Sequence, residues 1–245
     1  MAGGFGPSSK AKKPVKRPKT PITTPTQTTA QQPQTTPPNT QQQQQQLDGV
    51  VREAELEMPQ FMGAFVMEEA VVDGVVKLFE EAAPVRGMVS AEGGTAPVVD
   101  LAVKDSFETS VAPNDPRPEW RAYALALKQC VERYVEAYPF AGAYGVWALT
   151  SRTNIQRYPP SGGYKTFHTE RTGKGEPEGS RHLVFMTYLN DVHDHGGTEF
   201  FHQNITVQPA KGLTLVWPAD WTFTHRGVPS PTQEKTITTG WFNFL

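Results

Sequence analysis

The sequence predicts a mainly β domain with two supporting helices, its strands folded into two facing sheets as a jelly roll. Three observations predict it. From Gly145 onward, short runs rich in Thr, aromatic and β-branched residues alternate with turns marked by Gly and Pro, the pattern of consecutive short strands. Between Phe65 and Tyr138, two stretches instead space their apolar residues as a helix does. Residues 1–47 contain almost no large apolar side chain, so no burial offsets the entropy of ordering them.

Three regions follow along the chain. Residues 1–47 open with Lys and run through Pro, Thr and Gln to a glutamine tract at 41–46. This tail reads as disordered, either a solubilising extension or a basic docking arm whose partner is open. Residues 48–144 form the helical support region. Met67, Val71, Val75 and Leu78 predict a helix over 67–81, with Glu68 and Glu69 suited to its N-terminus and Pro84 blocking its extension. A loop containing Gly93 and Gly94 leads to an extended stretch over 98–111. A longer helix is expected over 118–138, with Trp120, Leu125, Leu127, Val131 and Tyr134 on its apolar face and Pro139 closing it. Residues 145–245 hold eight expected strands: 146–158, 164–170, 182–189, 197–202, 204–208, 212–217, 221–226 and 235–243.

Charge narrows the partners. The formal net charge is −2, but the first 47 residues carry six basic residues and no acid. The remainder therefore holds 17 basic against 25 acidic residues, a net of −8. An acidic body disfavours a nucleic-acid partner tracked by its phosphates. The single cysteine, Cys130, has no partner for an intramolecular disulfide, which favours a reducing, cytoplasmic setting. No run of eighteen apolar residues occurs and no apolar segment follows the opening lysines, so neither a membrane span nor a secretory signal is expected.

The chemistry concentrates in His168, Glu170 and His225. Along a strand, residues i and i+2 face the same way. His168 and Glu170 would thus grip one metal ion from one side, with Thr169 turned away. A distant histidine, His225, completes a two-His-one-carboxylate face that leaves the opposite positions open, as oxygen activation on a redox-active ion requires. Lys235 lies ten residues after His225, across a segment with Gly227, Pro229 and Pro231. If 221–226 and 235–243 pair as a hairpin, Lys235 returns beside His225. A buried ammonium next to a metal needs an anion between them, and a dicarboxylate that chelates the ion at one end and meets Lys235 at the other fits.

Several motifs in series carry a family resemblance: Tyr158, Tyr164 and His168-Thr169-Glu170; Arg181 with Tyr188-Leu189-Asn190-Asp191; Gly196-Gly197-Thr198-Glu199-Phe200-Phe201; Trp217-Pro218; and His225 through Lys235 to Trp241. In order and spacing the chain resembles the 2-oxoglutarate- and iron(II)-dependent dioxygenases, in particular their prolyl-4-hydroxylase-like branch. The resemblance spans about residue 145 to the end, is loose over 60–144, and does not reach the tail. It departs at one ligand, because the family's commoner motif is H-x-D and here the acid is Glu170.

The resemblance implies a double-stranded β-helix of the cupin-like jelly-roll kind. It implies Fe(II) held by His168, Glu170 and His225, and 2-oxoglutarate seated by Lys235 and Tyr188 in a pocket lined by Tyr158. It also implies L-ascorbate as an accessory reductant. The implied reaction is hydroxylation of a C–H bond, first of a prolyl residue in a peptide or protein, with release of succinate and CO2. A free amino acid or other small molecule as substrate, and a non-catalytic jelly-roll binding module, stand as alternatives. Arg181 is placed towards the substrate mouth, Trp241 is read as packing beneath the site, and 171–180 as a loop over the entrance. His193-Asp194-His195, between Asn190 and Gly196, reads as an exposed turn.

Overall fold

The computed structural model describes residues 50–89, 96–173 and 175–245. The tail of residues 1–47 and the loop at Gly93 and Gly94 lie outside the described residues. The chain enters through strands β1 (Val51–Glu53) and β2 (Gly63–Met67) and then forms helix α1 (Glu69–Glu80). Glu69 in the first turn of α1 and Lys77 in its last complement the helix dipole. Val72, Val75, Leu78 and Phe79 form its buried face. Short strands β3 (Val85–Arg86), β4 (Lys104–Asp105) and β5 (Phe107–Val111) precede helix α2 (Pro118–Ala137). Pro118 occupies the first turn of α2, where its missing N–H costs no helix bond. Leu125, expected on the apolar face, is 41% exposed; Tyr123, Ala126 and Cys130 are buried there instead.

Nine strands follow: β6 (Trp147–Ala148), β7 (Thr153–Tyr158), β8 (Gly163–Tyr164), β9 (Arg181–Tyr188), β10 (Thr198–Phe200), β11 (Ile205–Val207), β12 (Leu213–Pro218), β13 (His225–Gly227) and β14 (Lys235–Phe244). The major sheet runs β1-β2-β12-β9-β14-β7-β5-β3, with β6 paired to β14, and every pairing is antiparallel. A second sheet has the order β11-β10-β13, and β4 pairs with β8. This is the mainly β double-stranded β-helix with helical support.

Strand alternation divides the core in two. On β9, Leu183 and Phe185 point into the cluster that includes the α1 and α2 faces. Val184, Met186 and Tyr188 point the other way, into a cluster with Phe200 of the second sheet and Trp217 and Ile237 of the major sheet. The helices thus back one face of the major sheet, and the other face is free to build a site.

Four strand expectations are corrected. The stretch 146–158 is two strands, β6 and β7, parted by residues 149–152. The stretch 164–170 is not a continuous strand: Tyr164 ends β8, and His168 makes an isolated bridge to His225 through two backbone hydrogen bonds of 3.0 Å. Residues Trp221–Phe223 form a 3₁₀ turn rather than strand, with the Phe223 N–H donating to Asp220 O at 2.9 Å. The hairpin between 221–226 and 235–243 does not form, because β13 pairs with β10 while β14 pairs with β9 and β7. Pro229 and Pro231 have no N–H for a ladder, and the connection crosses from one sheet to the other.

Candidate active site

The β13 bridge and the start of β14 open on one cavity of about 900 Å³ between the sheets. His168, Glu170 and His225 line it, and one ligand atom from each lies within 4.8 Å of the others. The Nε2 atoms of His168 and His225 stand 3.7 and 3.5 Å from the same Glu170 Oε1. These separations exceed good hydrogen-bond length. They suit atoms sharing one ion, since two ligands each about 2.1 Å from a metal at about a right angle lie about 3 Å apart.

Both imidazoles are aimed by the same local device. His168 Nδ1 lies 3.0 Å from Thr166 O, and His225 Nδ1 lies 2.9 Å from Phe223 O, in each case the carbonyl two residues earlier. A carbonyl only accepts, so Nδ1 carries a proton, and in the neutral ring Nε2 is left with its lone pair. Tyr164 stacks on His168 at 4.0 Å between centroids, and Trp217 packs edge-on against His225 at 5.2 Å. Burial, with His168 alongside, pushes the His225 pKa down despite the opposing pull of Glu170, which favours the neutral ligand. Burial alone would raise the Glu170 pKa, but the two histidines outweigh it and hold the carboxyl well below its usual range. An ionised carboxylate beside imidazoles that present Nε2 is the donor set a hard or borderline cation takes.

Lys235 lines the same cavity and is 4% exposed. Its Nζ donates to Gly196 O at 2.7 Å and makes no ion pair with a carboxylate among the described residues. Burial alone pushes its pKa down to about 8. A buried cation without a protein anion fits the distal carboxylate of a diacid. Tyr158 pairs with Lys235 across β7 and β14, and its ring sits 5.2 Å from Nζ on the cavity wall.

Tyr188 does not reach the cavity. Its hydroxyl lies 2.7 Å from Thr198 Oγ1 and 3.0 Å from Val207 O. Thr198 is the residue that lines the cavity at that point, so Tyr188 stands one hydrogen bond behind the wall. The side chain faces the expected side of β9, but neighbouring acceptors capture its proton. Arg181, placed towards the mouth by the sequence, does line the cavity. Trp241, read as packing, in addition donates its indole N–H to Glu170 Oε2 at 3.0 Å. Residues given no role in the sequence also line the cavity: Lys104, Gln156, Tyr164 and Thr198. A register count could have found Gln156, which shares a strand face with Tyr158; Lys104 comes from a strand too short to leave a pattern. His195 adopts φ 60° in a turn and Asp194 accepts from Thr232 at 2.8 Å, as expected of the loop.

Residues 153–243 match the sequence model of the 2OG-Fe(II) oxygenase superfamily. No curated protein matches the chain. Three solved structures share its fold. A Pseudomonas putida prolyl-4-hydroxylase is 19% identical with a TM-score of 0.57, over 75% of this chain and 92% of that one. The viral collagen prolyl hydroxylase of Paramecium Bursaria Chlorella virus-1, as its 2OG complex, is 14% identical with a TM-score of 0.56, over 76% and 97%. A Trichoplax adhaerens prolyl hydroxylase in complex with a hypoxia inducible factor oxygen degradation domain peptide fragment is 15% identical with a TM-score of 0.55, over 84% and 93%.

The stretch that matches the 2OG-Fe(II) oxygenase superfamily model contains His168, Glu170 and His225, which could hold a metal ion, together with Lys235. The three prolyl hydroxylases share the fold of this chain.

Proposed function

We propose that this enzyme hydroxylates a prolyl residue in a peptide or protein, converting 2-oxoglutarate and O2 to succinate and CO2. The observation that carries the reading is the shared cavity: a two-His-one-carboxylate face and a buried ammonium with no carboxylate partner among the described residues line the same space. When bound, ferrous iron and 2-oxoglutarate supply the oxidising power for an unactivated C–H bond. His168 and His225 would hold the ion through Nε2 and Glu170 would hold it through Oε1. Lys235 orients the diacid by its far carboxylate, Tyr158 walls that pocket, and Met186, Trp217 and Ile237 keep it dry.

A cavity of about 900 Å³ lies towards the upper end of the roughly 300–1,000 Å³ range of small-ligand sites. A five-carbon diacid leaves room for a substrate residue. Met88 and Val89 add an apolar lip, and Val89 bridges to the exposed Val98. Such an edge suits a peptide more than a small polar metabolite. The three structural relatives are named as prolyl hydroxylases, one with a peptide bound, and proline is the residue class brought over from them. L-ascorbate is the proposed accessory reductant, and the proposed setting is reducing and cytoplasmic.

The test incubates the full chain with Fe(II), 2-oxoglutarate, ascorbate and a panel of proline-containing peptides. The reading expects a mass gain of one oxygen on proline and an equivalent of succinate. Oxygen insertion only into free amino acids would overturn the peptide assignment. Ligand binding with no succinate under any condition would favour a non-catalytic module.

A further inference from the structure

Glu170 is one methylene longer than the aspartate of the commoner H-x-D motif, and the structure shows how the extra length is held. Its two carboxylate oxygens have separate neighbours. Oε1 faces both imidazole Nε2 atoms. Oε2 accepts from Trp241 Nε1 at 3.0 Å and lies 3.4 Å from Arg181 Nη1. The same Nη1 donates to the backbone carbonyl of Glu170 at 2.7 Å. The guanidinium lies over the Trp241 indole, 3.7 Å from the ring centroid, and only 14% of the Arg181 side chain is exposed. Trp241 comes from β14 and Arg181 from the start of β9, adjacent strands of the major sheet. Two rigid strands therefore place two donors on one oxygen.

We infer that Trp241 and Arg181 are positioning residues that fix Glu170 as a one-oxygen ligand, with Oε1 towards the metal and Oε2 held away from it. A glutamate has one more rotatable bond than an aspartate, and each free rotor opens alternative poses. Without the two donors the carboxylate turns to offer both oxygens, which would fill an open coordination position, or swings off, which would weaken the hold on the ion. An aspartate on the same backbone would retract by about 1.5 Å, one C–C bond. It could meet the histidines or the indole N–H but not both.

The inference rests on the metal-centre reading, and its test separates the two. Co(II) binding to the full chain is measured by titration and by its visible spectrum, without turnover, for wild type, Trp241→Phe, Glu170→Asp and the double variant. Wild type that binds no Co(II) refutes the metal centre itself. Given wild-type binding, Trp241→Phe is expected to weaken Co(II) about tenfold or more, as loss of a ligand's hydrogen-bond partner does, and to shift the spectrum. In the Glu170→Asp background the same change is expected to alter affinity less than about twofold. Equal losses in both backgrounds, or no loss beside Glu170, overturns the inference. If Trp241→Phe fails to fold, Arg181→Gln takes its place in the same cycle, with the same expected and contrary results.

Discussion

Lys235→Met tests the ammonium's role from two sides, because a residue kept for binding and not for folding should cost stability. Burial lowers its pKa from 10.5 to about 8. That difference corresponds to about 3 kcal/mol of penalty at neutral pH. Methionine keeps the length and removes the charge. It also loses the hydrogen bond to Gly196 O, worth about 1–1.5 kcal/mol. The net expectation is a gain of about 2 kcal/mol, or about 4–8 °C in melting temperature for a domain of this size. Below pH 8 the folded state must bury a charged ammonium and the full penalty applies. Between pH 8 and 10.5 the folded state releases its proton while the unfolded chain keeps it, so the advantage of methionine fades as pH rises. Thermal melts are recorded with Mn(II), with and without 2-oxoglutarate. Wild type should gain about 2.7 kcal/mol at a hundredfold excess over the dissociation constant, and the variant almost nothing. A variant that melts below wild type and still gains from 2-oxoglutarate would refute the reasoning.

Further outcomes follow from the same geometry. His168→Ala or His225→Ala should abolish succinate formation while leaving the far-ultraviolet circular dichroism spectrum intact; turnover retained in either contradicts its role as a ligand. The KM for 2-oxoglutarate should stay flat below about pH 8 and rise above it as Lys235 loses its proton, and steady-state kinetics from pH 6.5 to 9.5 would show the break or its absence. Tyr188→Phe should cost about 1–2 kcal/mol in denaturant melts, because Val207 O and Thr198 lose a buried donor. It should change 2-oxoglutarate affinity less than about threefold by titration, whereas a tenfold loss would place Tyr188 at the co-substrate after all.

The metal face was legible because three residue types at fixed order admit few other readings, yet the local reason differed. His168 and Glu170 converge from a bridged loop, not a continuous strand. Pairing was harder to read. The runs 221–226 and 235–243 look alike in Thr and aromatic content, and only their sheet partners distinguish them. The crossing chain brings Lys235, the first residue of β14, to the cavity wall as a hairpin would. Leu125 shows the limit of counting apolar residues on a helix: Tyr123 and Ala126 take the buried face, where Tyr123 shares a hydrogen bond of 2.9 Å with Thr187. The hydrogen bonds of Trp241 and Tyr188 are not legible in the sequence for one reason. The destination of a single N–H or O–H depends on which acceptor lies within about 3 Å, and no strand pattern encodes that.

The most direct measurement is a crystal structure of the full chain with Mn(II) and 2-oxoglutarate bound under anaerobic conditions. One ion should sit on His168 Nε2, His225 Nε2 and Glu170 Oε1, with the far carboxylate of the diacid on Lys235 Nζ. An ion bound elsewhere, or a diacid whose far carboxylate leaves Lys235 on Gly196 O alone, would contradict the account.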